Sequence, residues 1–560
     1  MVAQNSNRYS NELTLNTNES IYIHINGTSF VSGEKLFYKL YLLNPTDNKL
    51  SLLSKIAYVE LVKTDKKIVF SHKLFLEKGN GQGDFLIPSD LKTGNYKLVA
   101  YTKWMLNKNT EKFFESDIFI VNPFEKLNIS QVSNSSKLEE INKSTTINYT
   151  NNTSQKSDYS FQIAKKQYSK REKVDLKIQS LSNQNLSGNF SLSVRKIDDL
   201  PSTKKVSAIE YINNYSQKNT FISQNNILPE LRGEMIEGKI ISKSGALDVK
   251  NKTVAISIPG KTFAFHLSET NSDGKFIFNL DKPYYSSDMN IQVVDENQKD
   301  YDIVIEKNGN VSNGLLFDKP FVLSPDLKNT LQERSIASQI ENAYFNKKTD
   351  SLTAGQKQEA FYDPISKNYI LDNYTRFKTL KETSVEIIPE MYFSKKDNHN
   401  FLYLRDYSGN TKLNEPALVL IDGLLIQNTD ELYEYNANLI HMISIIPGAY
   451  YYGTKVFNGV INIVTKNNDF ASINNENVIH KIALQRPLPK KIYFKQDYSD
   501  AAKYERIPDY RNQLIWIPEV DINEAISFYT SDISGNFEVI LEGFSADGKP
   551  ISLRETFVVE

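Results

Sequence analysis

The stretch Ala417-Leu418-Val419-Leu420-Ile421-Asp422-Gly423-Leu424-Leu425-Ile426, with Phe457-Asn458-Gly459-Val460-Ile461-Asn462-Ile463-Val464-Thr465-Lys466 behind it, decides the fold of the C-terminal half. Apolar runs this short, bounded by turn residues, read as strands. Asp422-Gly423 between two of them is a tight-hairpin signal, Gly supplying φ > 0. Leu432 to Ile440 is expected to be helical, and Ile443-Ser444-Ile445-Ile446 to be a strand ended by Pro447-Gly448. Gly453 and Gly459 permit close backbone approach. Ile461, Ile463 and Val464 suit a strand at least half buried in a small sheet. The expectation is a small α+β domain over residues 385–475.

Outward from that domain the pattern is short alternating strands at sandwich spacing. Residues 1–17 form an N-terminal tail and 18–125 a first sandwich. There Ile21 to Ile25 alternates, Phe30 to Gly33 reads as a turn, and Leu36 to Leu42 as a strong strand. Further strands are expected at Ile56–Val62, Ile68–Phe75, Gly83–Ile87 and Gly94–Tyr101. Gly79-Asn80-Gly81-Gln82-Gly83 joins two strands and opens no helix, so it reads as a hairpin turn rather than a phosphate cradle. Residues 126–154, rich in Asn, Ser, Thr and Lys, have too little apolar content to pack and read as a flexible linker. A second sandwich is expected over 155–232 and a third over 233–312. Tyr168 to Val174 echoes Phe30 to Leu36, as a repeated unit would. Asp273-Gly274 is a turn; one carboxylate is far short of the roughly 6–8 oxygens of a calcium site. Residues 313–384 read as a helical connector. Its first helix, 327–347, is capped by Asp326 and carries Leu331, Ile336, Ile340 and Tyr344 at helical spacing; a second, short helix starts near Tyr369. Residues 476–560 form a closing sandwich, with strands at Ala525–Tyr529, Gly535–Glu542 and Ile551–Val559. The fold class is mostly β: a string of sandwiches with a small α+β domain and a short helical connector.

Three resemblances rest on these residues. Phe30-Val31-Ser32-Gly33-Glu34-Lys35 before a strand, with Leu91-Lys92-Thr93-Gly94-Asn95-Tyr96-Lys97-Leu98 before Ala100-Tyr101-Thr102, resembles the second macroglobulin domain (MG2) of the alpha-2-macroglobulin family. The turn at Asp273-Gly274 before Lys275 to Phe278 resembles the carboxypeptidase-regulatory-like fold. Residues 416–466 resemble the plug of TonB-dependent outer-membrane receptors, whose "IDG" turn, "YG" turn and final "NGVINIVTK" strand match here in order and spacing. The resemblance marks Asp422, Gly423, Gly453, Gly459, Asn462 and Lys466 as structural plug residues that mostly do not touch a substrate. A receptor barrel needs about 22 strands of about 9–11 residues. Only 94 residues follow Lys466 in the 560-residue chain, so the expectation is a plug without its barrel. The whole order resembles a family of large secreted proteins of Gram-negative bacteria.

Composition narrows the function. With 66 Lys+Arg against 67 Asp+Glu, no net field draws in nucleic acid or an anionic membrane. The absence of Cys excludes disulfides, thiolate chemistry, Cys-based zinc sites and the thioester of protease-trapping macroglobulins. No segment approaches the roughly 18–20 apolar residues of a transmembrane helix. Met1-Val2-Ala3-Gln4-Asn5 has no signal-peptide pattern, so the chain is expected to begin after a removed signal; a lipid anchor would sit on a Cys outside it. The histidines, His24, His72, His266, His399, His441 and His480, show no paired metal spacing, and His24 and His266 are expected at strand edges or on the surface. No Gly-x-Ser-x-Gly elbow, Walker loop or dinucleotide fingerprint occurs. No catalytic residue, cofactor or metal is expected. The leading expectation is an exported, non-catalytic binding or scaffold protein, outer-membrane-associated and periplasmic or cell-surface, accessory to an outer-membrane complex for uptake, secretion or assembly. A stand-alone saccharide- or peptide-binding protein is the alternative, and a hydrolase the third choice.

Overall fold

The computed structural model describes residues 18–107, 113–125, 159–180, 187–200, 202–215, 227–259, 263–284, 286, 288–294, 297–306, 311, 314–317, 323–353, 361–362, 366–405, 416–453, 455–470, 478–500 and 504–560. The tail 1–17 and the linker 126–154 lie outside them. The protein is mostly β and resolves into two compact units, each assembled from separated segments. One takes residues 1–231, 310–353 and 488–560; the other takes 232–309 and 354–487.

The first unit holds two sandwiches. In one, Lys35–Leu43 lies between Ser20–Ile25 and Asn80–Leu86. The facing sheet runs Ser29–Val31, Phe114–Val121, Gly94–Tyr101, Ile56–Lys63, Ile68–Phe75. Ile21, Ile23, Leu40, Leu42, Val59, Leu61, Leu98 and Ile118 fill the space between them. The Gly-rich run is mostly strand rather than turn. Lys78 and Gly79 turn at φ 50° and 77°, while Gly81 and Gly83 lie within Asn80–Leu86. Gly83 is required because a Cβ there would come within 2.2 Å of the Tyr38 hydroxyl.

The other sandwich corrects the linear division into modules. Its larger sheet runs Gln167–Tyr168, Pro550–Val559, Gly535–Ser545, Gly188–Lys196, Gln513–Ile517. Its smaller sheet runs Ile526–Tyr529, Lys173–Ser180, Tyr159–Ile163. Residues of 155–232 and 476–560 thus form one sandwich, not two. The register shows why: Leu192 faces Leu541 on one side and Ile517 on the other, so Gly188–Lys196 is a central strand whose neighbours both come from the C-terminal segment. The repeated turn is structurally alike in both sandwiches. Val31 N–H donates to Glu34 Oε2 at 3.1 Å and Ser169 N–H to Glu172 Oε2 at 2.7 Å. Gly33 and Arg171 both sit at positive φ, 89° and 58°. In each, a short strand precedes the turn and pairs in parallel.

The 313–384 connector is divided between the units. Its first helix, Lys328–Ala343, follows a 3₁₀ turn at Pro325–Leu327. Asp326 lies inside that turn, and Leu327 holds the N-cap position with no side-chain cap. The buried face is polar: Arg334, Ser335, Ala337 and Ser338 are buried and Ile336 is exposed. Residues Tyr369 and Ile370 end a strand, Lys367–Ile370, and a 3₁₀ turn follows at Leu371–Asn373. The second helix starts later, at Leu380–Glu386, where Thr379 and Glu382 form a capping box. In the polar stretch 200–230, helix Ala208–Tyr215 packs Ala208 and Tyr211 into the first core.

The second unit pairs a sandwich with the α+β domain. In the sandwich, Glu234–Ser242 lies between Lys275–Leu280 and Tyr301–Ile305. The opposite sheet runs Ala264–Glu269, Thr253–Ile258, Asp288–Val294, His480–Ala483. The last strand comes from beyond the α+β domain, outside the expected 233–312 range. In the α+β domain the order is Lys367–Ile370, Ile440–Tyr452, Lys455–Thr465, Leu418–Ile421, Leu424–Leu425. The expected Leu432–Ile440 helix is a short helix, Asp430–Tyr433, and a 3₁₀ turn, Ala437–Leu439. Pro447-Gly448 does not end the strand: Ile440–Tyr452 continues through it on a bulge at Ile446/Ala449, which absorbs the residue that cannot donate.

Candidate functional site

The predicted plug residues gather in the second unit. Asp422 and Gly423 adopt φ 49° and 84°, as a two-residue hairpin with both central residues left-handed requires. The buried Asp422 carboxylate accepts from the Thr465 N–H (2.7 Å), the Thr465 hydroxyl (2.6 Å) and the Phe470 N–H (3.1 Å). It therefore ties the hairpin to the end of Lys455–Thr465. A Cβ on Gly423 would meet Phe263 at 2.3 Å, and one on Gly459 the Ile446 carbonyl oxygen at 2.4 Å. Gly453 is less crowded; its φ of 60° at the tip of the long hairpin accounts for it. Asn462 is buried in the central strand, and among the described residues neither its Nδ2 nor its Oδ1 has a hydrogen-bond partner. Lys466 is partly exposed, with its ammonium 4.0 Å from Asp372. These residues hold a sheet together; they do not converge on a reactive centre.

A cavity in the first unit is the better-formed site, and sequence reading missed it. It measures about 160 Å³, several times the ~10–15 Å³ that one water needs. Its walls come from separated segments: the Gly33–Phe37 turn and strand, Arg195, the end of helix Lys328–Ala343 with the residues to Asp350, and residues 493–494 and 510–516. Trp516 and Tyr493 are buried; Phe37 stacks on Trp516 (6.0 Å, 22°) and meets Tyr493 edge-on (5.0 Å, 85°). Phe345 and Tyr510 are exposed at the rim. The Lys35 ammonium lies 5.9 Å from Phe37 and 5.3 Å from Phe345, and pairs with Asp350 at 2.9 Å.

Charged groups around this cavity are arranged in networks. Glu341 takes the Lys348 ammonium at 2.7 Å and the Tyr510 N–H at 2.6 Å; burial raises its carboxyl above the ordinary range, with Lys348 offsetting part. Asp509 is buried, which alone would raise it, but Arg511, Lys348 and Tyr498 hold it at about 2. Arg511 grips both its oxygens at 2.6 Å. Arg334 donates to Glu34 through Nε (2.9 Å) and Nη2 (2.5 Å) and to Asp198 through Nη1 (2.8 Å). These bonds explain why a helix buries its polar face: Glu34, from the turn motif, needs a guanidinium. Among the described residues, no group of three His, Asp or Glu could hold a metal ion.

The histidines have structural surroundings. His24 lies on an edge strand but is buried, not surface-exposed, with Nδ1 2.7 Å from the Ser191 hydroxyl. The second sandwich of the same unit covers that edge. His72 stacks on Phe70 at 4.2 Å, and burial pushes its pKa down to about 4. No helix among the described residues is long and apolar enough to cross a membrane.

No family model matches the chain, and no curated protein matches it. Solved structures do. Salmonella alpha-2-macroglobulin reacted with methylamine is 10% identical at a TM-score of 0.22, over 97% of this chain and 39% of that one. Trypsin-activated Escherichia coli alpha-2-macroglobulin is 10% identical at 0.22, over 97% and 41%. The native conformation of the E. coli protein is 10% identical at 0.23, over 97% and 40%. The chain thus spans about two fifths of the length of these structures, which are bacterial alpha-2-macroglobulins matched at low TM-score.

Proposed function

We propose that this chain is a non-catalytic binding and scaffold protein, exported and associated with the outer membrane, accessory to an uptake, secretion or assembly complex there. The observation that carries the reading is the α+β domain. Its sequence resembles a receptor plug, and its motif residues serve turns, close approach and packing. A carboxypeptidase-regulatory-like reading of the adjoining sandwich and an MG2-like reading of the first one fit the same picture of serial binding modules. Sandwich edges and loops commonly recruit partners. The test is affinity purification of the tagged chain from detergent-solubilised outer membrane. Co-recovery of an outer-membrane barrel or secretion subunit is expected; recovery of the free protein alone counts against the reading.

The aromatic-lined cavity favours a second reading, a saccharide- or peptide-binding protein acting alone. Binding on a glycan or peptide array without membrane partners supports it, and blank arrays remove it.

A further inference from the structure

The cavity's ion pairs are unevenly matched. Its carboxylates are already engaged: Asp350 by Lys35 and the Phe494 N–H, Glu341 by Lys348, Glu34 by Arg334. Among the cations, Arg511 has Asp509 and the Leu514 carbonyl, and Lys348 has Glu341 and Asp509. Arg195 is different. Among the described residues its guanidinium has one hydrogen-bond acceptor, Glu34 Oε2 at 3.2 Å, an oxygen that Arg334 holds more tightly at 2.5 Å. The Arg195 side chain is 13% exposed and packs over the Phe30 ring at 5.0 Å. Burial lowers its pKa and Glu34 only partly offsets this, whereas Arg334 is raised. Arg195, a residue with five guanidinium donors of which one has an acceptor among the described residues, is therefore part of the lining of a cavity walled by aromatic rings.

We propose that this cavity binds a carboxylate carried on an aromatic body, the carboxylate pairing with Arg195 and the ring lying among Phe37, Phe345 and Trp516. Charge complementarity chooses the head group: a planar guanidinium takes a carboxylate through two parallel N–H bonds. The rings choose the body, since offset and edge-on aromatic contacts are favourable at these separations. The same chemistry is offered by a free arylalkanoic acid and by a peptide ending in phenylalanine. The inference deepens the peptide reading above and needs no membrane complex, so the two fail separately.

The chain has two tryptophans, Trp104 and Trp516, so a Trp104→Phe variant reports on the cavity wall alone. Its fluorescence is titrated with 3-phenylpropionate, with 3-phenylpropionamide, and with an acetylated tetrapeptide ending in phenylalanine as free acid or amide. Each acid is expected to bind roughly tenfold or more tightly than its amide, the size of a charge-assisted hydrogen bond. A tetrapeptide acid stronger than phenylpropionate identifies a peptide C-terminus, and equal affinity identifies a free acid. Arg195→Gln is expected to erase the acid–amide difference. Acid and amide of equal affinity, or no saturable change with any of the four, overturns the proposal without requiring any variant at Arg195.

Discussion

Glu542 shows how a single buried group sets a pH response. It lies in Gly535–Ser545, with Oε2 accepting from the Ala208 N–H (2.8 Å) and Oε1 from the Ser552 hydroxyl (2.7 Å). Burial raises its pKa to about 7 from 4.5, and those bonds together with Arg554 offset only part. A raised carboxyl favours folding while protonated. Its contribution is complete below about pH 4.5 and is lost as pH rises through 7. Glu542→Gln supplies an uncharged side chain of the same shape, with a carbonyl acceptor and an NH2 donor group that do not titrate. Relative to that variant, the wild type should lose about 3 kcal/mol between pH 4.5 and 8. Denaturant titrations of both proteins at several pH values measure this; parallel curves contradict it. Asp422 makes the opposite case, a carboxylate that acts as an acceptor. Asp422→Ala leaves the Thr465 N–H, its hydroxyl and the Phe470 N–H without their acceptor. It should cost about 3 kcal/mol, with Asp422→Asn costing less. Hydrogen exchange at Lys455–Thr465 reports it. Asp422-Gly423 was legible in the sequence because hairpin chemistry is local. Its carboxylate's distant partners were not, since Thr465 is 43 positions away.

At the scale of elements, helix Lys328–Ala343 is the instructive one. Its existence was legible from its spacing, but its orientation was not. Apolar positions at helical period suggested that Ile336 would face inward, yet Arg334 does so and Ile336 is 45% exposed. The Glu34 carboxylate in the turn motif outweighs the weak apolar stripe. Arg334→Met should therefore destabilise the first unit by about 3 kcal/mol, because buried Glu34 loses the more tightly held of its two guanidiniums and Asp198 loses its partner. Ile336→Ala should change stability by under about 0.5 kcal/mol. Thermal denaturation of the two variants separates a polar from an apolar anchoring face. Strands were more legible than helices, since Ile68–Phe75 and Gly94–Tyr101 match their period-2 reading at both ends. The Gly79–Gly83 run misled because glycine marks both turns and close packing, and here Tyr38 demanded the second.

At the scale of the molecule, strand pairing defeats linear reading. Gly188–Lys196 takes both neighbours from beyond residue 512. A chain ending at Pro487 should therefore lose amide protection in Tyr159–Ile163, Lys173–Ser180 and Gly188–Lys196 while keeping it in Thr253–Ile258 and Leu418–Ile421, whose sheets keep all their strands, His480–Ala483 at the edge included. Equal protection of these three strands in both chains would refute the shared sandwich. The cavity was hidden for the same reason: its walls lie at 33–37, 195, 338–350, 493–494 and 510–516, and no local motif links them. Native electrophoresis of mild-detergent outer-membrane extract tests the proposed accessory binding at the outer membrane. The 64.1 kDa chain is expected to migrate in a larger assembly with other outer-membrane proteins. Migration at its own mass, outside the membrane fraction, would contradict it.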